Sequence, residues 1–318
     1  MKDFQISILV PLYNEEEVFP ELIARLDKVI EKMPMSIEVV LVDDGSRDQT
    51  AMLMKEKAEK NPNYQCVFLS RNHGHQTALT AGFNFVRGTE AIMVIDGDLQ
   101  DPPELLEELY AKFTEGYEVV YAIRRKRKEV WWKRLAYQVY YRLVVRLSKV
   151  KLPLDSGDFA LISKRVVDIM NKMPEESRYL RGLRTWVGFK QTGIEYERHP
   201  RAAGEAKYDI KMLFRLAYNG IFNFSTSPIT FISYLGFFSV LLSFFYFLFV
   251  LYLRVFTEVV PSGFTALVFL IILFGGVQLL SIGIIGEYLI RVFFQTKNRP
   301  LFLVDRYIIN QEEKVYDN

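Results

Sequence analysis

AIMVIDGDLQDPPE (91–104) is the stretch on which the fold turns. It opens with an apolar run, the signature of a strand buried on both faces, and a strand over 91–98 is expected. Asp96 and Asp98 close that strand, with Gly97 between them to let the backbone bend. Asp101-Pro102-Pro103-Glu104 then opens a helix over 103–115, with Asp101 as its N-cap. Working outward, apolar runs at 6–12, 37–44, 66–70 and 118–123 read as further strands. Segments 15–33, 48–60 and 75–87 carry helical spacing between them. Strand and helix alternate at the interval of an α/β domain with a mostly parallel sheet and helices on both faces. Ligands of such sheets bind beyond the carboxyl ends of the strands. Asp43 and Asp44 follow the second strand, and Asp96 and Asp98 the fourth, so the acids gather at that edge.

Two carboxylates two residues apart can share one hard cation, and oxygen donors suit Mg²⁺ or Mn²⁺, which also grip diphosphate oxygens. Gln100 stands two residues further on and can add a carbonyl oxygen. Asp43-Asp44-Gly45-Ser46-Arg47-Asp48 offers carboxylates to a base or ribose, and Asp48 or Ser46 can also cap the next helix. After the first strand come Pro11, Tyr13, Asn14 and Glu15; Tyr13 can lie against a base ring and Glu15 can accept from it. His73 and His75 flank Gly74 with no third ligand spaced for zinc, and read as a loop lining the nucleotide pocket. No G-x-S-x-G elbow, P-loop lysine motif or G-x-G-x-x-G turn is present, which sets aside hydrolase, ATPase and dehydrogenase readings.

The second half of the chain is different. Residues 229–253 contain no Asp, Glu, Lys or Arg, and as a helix they would be roughly 37 Å long, enough to cross a ~30 Å hydrocarbon core. A second uncharged run covers 259–286. Two transmembrane helices are expected, at about 229–253 and 262–288. Lys207, Lys211 and Arg215 precede the first, and Arg291, Lys297, Arg299 and Arg306 follow the second. The positive-inside rule then places both termini and the first 200 residues in the cytoplasm, under a multi-pass inner-membrane protein. Glu287 and Arg291 lie one turn apart, as an interfacial pair. Gly236, Gly275, Gly276, Gly283 and Gly286 allow close helix approach, within the hairpin or in a homo-oligomer. The basic run 124–128 leads into an expected interfacial helix at about 130–149, with Trp131 and Trp132 at headgroup depth, and 209–227 is a second amphipathic candidate. Both imply contact with a lipid bilayer. Arg178, Arg181 and Arg184 recur every three residues and share a helical face, either to meet a lipid phosphate or in surface salt bridges.

Composition narrows the class. Lys plus Arg is 40 against 38 for Asp plus Glu, a net charge of +2, which argues against a nucleic-acid binder. One cysteine, Cys66, excludes an internal disulfide.

Taken together, V-P-L-Y-N-E-E (10–16), V-D-D-G-S-x-D-x-T (42–50), L-S-R-N-x-G (69–74), D-G-D-L-Q-D-P-P-E (96–104), S-G-D-F (156–159) and the two-span tail resemble the polyprenyl-phosphate glycosyltransferases, inverting family 2 enzymes of the GT-A fold. The resemblance implies a GT-A domain over 1–208, a juxtamembrane helix over 209–227, two spans within 228–291 and a cytosolic tail over 292–318. It implies a nucleotide sugar donor, a polyprenyl phosphate acceptor, and Mg²⁺ or Mn²⁺. Glucose from UDP-glucose onto undecaprenyl phosphate is the expected pairing, with a dolichol-phosphate mannose synthase-like transfer of another sugar, a processive polysaccharide synthase or a non-enzymatic nucleotide-sugar-binding membrane scaffold as alternatives. Carried over residue by residue, Pro11, Tyr13 and Glu15 contact the base, and Val42 and Asp44 line the same pocket. Asp96, with Gly97 beside it, holds ribose and diphosphate, while Asp96, Asp98 and Gln100 hold the metal, which makes Asp96 and Asp98 catalytic as well. Arg124, Arg201 and Lys207 face phosphate, with Ala206 where the family has serine. Asp158 is the catalytic carboxylate by its place in S-G-D-F, with Asp155 as fallback. The tail 300–318 is expected to pair as a strand, with its own domain or another chain.

Overall fold

The computed structural model describes residues 3–124, 156–176, 178–197, 227–256 and 263–316. They fall into two compact units, an α/β unit and a pair of long helices.

In the α/β unit the strands are β1 (Ile6–Leu12), β2 (Ile37–Asp43), β3 (Tyr64–Leu69), β4 (Ala91–Val94), β5 (Val119–Arg124), β6 (Ser156–Ser163), β7 (Gln191–Tyr196), β8 (Val304–Ile309) and β9 (Glu312–Val315). They form one sheet in the order β7-β5-β6-β4-β1-β2-β3-β8-β9. The central strands β4, β1, β2 and β3 are parallel, as the alternation predicts. The flanks are not. β6 runs antiparallel between β4 and β5, and β8 and β9 add antiparallel strands beside β3. The sheet is therefore mixed rather than mostly parallel, because segments from beyond residue 150 insert into it and extend it.

Its helices are α1 (Phe19–Lys32), α2 (Thr50–Lys60), α3 (His75–Phe83), α4 (Leu106–Thr114), α5 (Lys164–Lys172) and α6 (Leu180–Trp186). Alternate strand residues face α1, α2 and α4, where Leu22, Leu26, Met54 and Leu109 close a continuous core. Each such side chain contributes about 1.5–3 kcal/mol by leaving water. α1 starts at Phe19, later than its periodicity suggests, with Pro20 in its first turn, where the missing N–H costs nothing. Pro103–Leu105 form a single 3-10 turn before α4.

β8 is the tail strand, and it pairs with this chain's own β3, Ile308 opposite Cys66. Asn310 and Gln311, both with positive φ, make the tight turn into β9. All four residues of β9 are exposed.

The second unit holds α7 (Ser227–Phe256) and α8 (Phe264–Thr296), each long and apolar enough to cross a membrane. Both extend past the uncharged runs, and α8 carries the Glu287–Arg291 ion pair at 2.9 Å. A Cβ built on Gly236, Gly275, Gly276, Gly283 or Gly286 meets nothing within 4 Å. The expected interfacial helix at 130–149, the amphipathic segment 209–227 up to Thr226, Arg125 to Lys128, Asp155, Arg201 and Lys207 lie outside the described residues.

Candidate functional site

The acids do gather at the carboxyl ends of the strands, but by a route the local sequence does not announce. β4 ends at Val94, so Asp96 and Asp98 lie in the loop beyond it. In the antiparallel register of β4 and β6, Val94 sits opposite Ala160. Asp96 lies two residues past Val94, and Asp158 two residues before Ala160. His75, the first residue of α3, fits between them, its Nε2 3.6 Å from Asp96 Oδ1 and 3.5 Å from Asp158 Oδ2.

Asp158 is buried, yet it is matched. Arg181 Nε donates to its Oδ1 at 3.0 Å, Arg181 Nη2 to its Oδ2 at 3.2 Å and Gln76 Nε2 to its Oδ2 at 2.9 Å. The forked pair is the strong form of an arginine–carboxylate contact. Burial pushes the Asp158 carboxyl up, but Arg181 and His75 outweigh it and hold the group well below the usual carboxylate range. Burial lowers His75, and the two carboxylates overcome this and raise it. Asp96 is raised, first by burial and then by the charges of Asp158 and Asp98 against the opposing pull of His75. Asp96 therefore sits where negative charge is crowded.

Gly97 lies against the end of β1: an added Cβ would run into Leu12 Cδ2 and stand 3.1 Å from the Pro11 carbonyl oxygen. Close approach, more than bending, demands the glycine, and the positive φ of this loop falls on Leu99. Gln100 donates its backbone N–H to Asp98 Oδ1 at 3.1 Å and is itself buried. The donor set of Asp96, Asp98 and Gln100 consists of hard oxygens. Among the described residues no three His, Cys, Asp or Glu side chains cluster as a complete metal cage. Two carboxylates with substrate oxygens completing the shell is the arrangement that suits Mg²⁺ or Mn²⁺ beside a diphosphate, so the residues fit that ion.

Asp101 does not cap the following helix. It accepts from the Tyr196 hydroxyl, and Arg124 Nε donates to that hydroxyl at 3.4 Å. Arg124 also runs beside Gly157, just before Asp158. The loops after β1 and β2 are tied together: Asn14 N–H donates to Ser46 Oγ at 3.0 Å, and Asp48 accepts from Glu16 N–H and Thr50 N–H. Asp44 accepts from the His73 and Gly74 N–H groups at 2.7 and 2.9 Å. Tyr13 is exposed at this edge, Glu15 is half-buried, and Pro11 is buried in β1. Val42 is wholly buried, with its side chain against Gly82 of α3.

The arginine series does not form surface salt bridges. Arg178 donates to the Met170 and Met173 carbonyls at the end of α5. Arg184 is 2% exposed, donates to the Gly157 carbonyl at 3.4 Å, and burial lowers its pKa to about 10. It stays charged at neutral pH and supports the start of β6, which carries Asp158. Arg181 alone of the three grips that carboxylate.

Residues 7–169 match the family model described as Glycosyl transferase family 2. The chain belongs to glycosyl transferase family 2. This glycosyltransferase is 42% identical over 316 residues to the uncharacterized glycosyltransferase YkcC of Bacillus subtilis, covering 99% of this chain and 98% of that one. It is 34% identical over 301 residues to the bactoprenol glucosyl transferase of Shigella phage SfX, covering 94% of this chain and 98% of that one. Among solved structures, the mannosyltransferase PcManGT from Pyrobaculum calidifontis, in complex with GDP-Man and Mn²⁺, superposes with a TM-score of 0.47 at 17% identity, over 69% of this chain and 61% of that one.

As a family 2 glycosyltransferase the protein has the GT-A, Rossmann-like sheet, and it is an enzyme of sugar transfer. Three residues meet Asp158: His75, which the sequence placed only in a loop lining the nucleotide pocket, Arg181, which it gave to a lipid phosphate or a salt bridge, and Gln76, which it did not single out. The signals were present in H-G-H-Q (73–76) and in the shared face of Arg178, Arg181 and Arg184. Neither names its partner, because Asp158 is 82 residues from Gln76 and 23 from Arg181.

Proposed function

We propose that this enzyme moves a single sugar, glucose from UDP-glucose, onto a polyprenyl phosphate such as undecaprenyl phosphate, with inversion, at the cytoplasmic face of a membrane. One observation carries the reading: the alignment to the bactoprenol glucosyl transferase covers 94% of this chain, so it includes the long helices as well as the sheet. Two helices of span length suit an acceptor that lives in a bilayer. β8 follows both helices and pairs with β3, which supports two crossings with the tail on the same side as the sheet. Arg291, Lys297, Arg299 and Arg306 favour the cytoplasm for that side. The open glycine faces of α7 and α8 leave room for a second copy.

The chemistry follows from charge. A lipid monophosphate has its second pKa near ~6, so its oxygen is ionised at neutral pH and needs no strong base. Asp158, held ionised by Arg181, is a poor proton acceptor, and its role is to stabilise positive character at the anomeric carbon. Arg124 faces phosphate. Asp96 and Asp98, with Gln100, would hold Mg²⁺ or Mn²⁺, which as a Lewis acid neutralises the departing nucleoside diphosphate. Pro11, Tyr13, Glu15 and Asp44 lie toward the nucleoside.

The test is incubation of membranes bearing the enzyme with labelled nucleotide sugars and undecaprenyl phosphate, with and without EDTA. We expect label from UDP-glucose in one organic-extractable lipid and none after chelation. Label in a polymer that resists extraction, or undiminished transfer in EDTA, would overturn the reading.

A further inference from the structure

A cavity of about 360 Å³ opens at the carboxyl ends of β2 and β3. Ligand clefts start at about this size. One wall is the turn after β2, with Asp43, Ser46 and Arg47. A second is the turn after β3, which carries Arg71. Gly45, at φ +70°, lets the two turns meet, since a Cβ there would stand 2.5 Å from the Arg71 carbonyl carbon. The third wall comes from the far end of the chain: Asp305 and Arg306 of β8.

Arg306 is held in place from three sides. Its Nη1 donates to Asp305 at 3.0 Å, its Nε lies 3.1 Å from Glu313, and its guanidinium centre stands 4.8 Å from the Phe68 ring. Glu313 is itself anchored to Lys55 of α2 at 2.6 Å. With the fork fixed and its side chain 39% exposed, the remaining N–H edge is available to an acceptor in the cavity.

Three arginines against two aspartates suit an anionic ligand rich in acceptors, and Phe68 and Ala51 add an apolar side for a ring. The cavity lies beyond β2 and β3, while Asp96 and Asp98 lie beyond β4, with β1 between. Two to three strand spacings, ~10–14 Å, separate them, about the reach of an extended nucleoside diphosphate. We propose that the C-terminal strand completes the donor pocket, with Arg306 as a donor-binding residue that contacts the nucleoside part of the sugar nucleotide. This rests on the proposed sugar transfer and adds to it that the strand following the second long helix forms part of the donor site. A chain that stops before residue 299 lacks that wall.

The experiment uses the full-length enzyme in lipid nanodiscs, titrated calorimetrically with UDP, with GDP and with inorganic diphosphate, alongside steady-state kinetics. Arg306→Ala should weaken the preferred nucleotide about tenfold and raise the donor KM to match, equivalent to ~1.4 kcal/mol. The acceptor KM, kcat and diphosphate binding should stay within about twofold. Arg306→Lys, which keeps the charge but not the fork, should fall between. Glu313→Gln, which loosens Arg306 without touching the cavity, should weaken the nucleotide less than Arg306→Ala does. Unchanged nucleotide affinity in Arg306→Ala at an unchanged melting temperature overturns the proposal. So does a uniform loss of kcat, both KM values and melting temperature, which would make the strand merely structural. If wild type binds UDP and glycosylates lipid while Arg306 variants match it, only this inference fails. If wild type binds neither nucleotide, the proposed function fails with it.

Discussion

The two ends of the parallel strands both bury carboxylates and treat them in opposite ways. At the amino end Glu38 is fully buried and fully matched. Ser7 Oγ and the Arg87 N–H each donate to its Oε1 at 2.6 Å, and Arg87 Nε donates to its Oε2 at 2.8 Å. Arg87 then reaches Asn310 in the β8–β9 turn at 2.8 Å. At the carboxyl end Asp96, Asp98 and Asp158 crowd one another, and Asp96 is raised by burial and then by the charges of Asp158 and Asp98. The matched end holds the sheet together. The crowded end keeps negative charge ready for ligands that arrive with counter-charge of their own.

Removing one carboxylate at each end separates the two roles. Asp98→Asn should cut sugar transfer on the order of 10³-fold, while the thermal midpoint holds or rises because repulsion is relieved. Glu38→Ala should do the reverse, with ~3 kcal/mol lost in denaturant titration as three donors lose their acceptor, and turnover per folded molecule unchanged. Loss of transfer in Glu38→Ala at full stability would erase the distinction.

The smallest effect concerns Asp158, the one matched carboxylate at the crowded end. Its depressed pKa contributes stability that is fully present above the unfolded value of ~4 and is lost as pH falls through the folded one. The midpoint of wild type should therefore drop more steeply below pH ~4 than that of Asp158→Asn. Parallel curves would mean that Arg181 does not stabilise the charge.

How much of this was written locally can be read from single elements. β1 runs over 6–12, as its apolar run says, because a strand buried on both faces has no competing pattern. β4 stops at Val94 although Ile95 is as apolar, since Gly97 must drop onto Leu12 and the chain leaves the ladder early. Asp158 could be singled out by resemblance, but not its ties to Gln76 and Arg181, which depend on β6 entering between β4 and β5. The tail's LFLVDRYII stretch announced a strand without saying which edge it would join. Val42 reads like its neighbours, and only packing shows that its side chain meets Gly82.

β9 ends the sheet with Glu312, Glu313 and Lys314, three adjacent charges on a fully exposed four-residue strand. An open row of unpaired N–H and C=O groups invites strands from other molecules to add on. Here each newcomer would have to lay its own backbone along fixed, hydrated charge, and the short length gives it few bonds in return. The sheet thus ends in a built-in deterrent to fibre-like stacking, and pairing can stop at one molecule even where copies of the protein are dense.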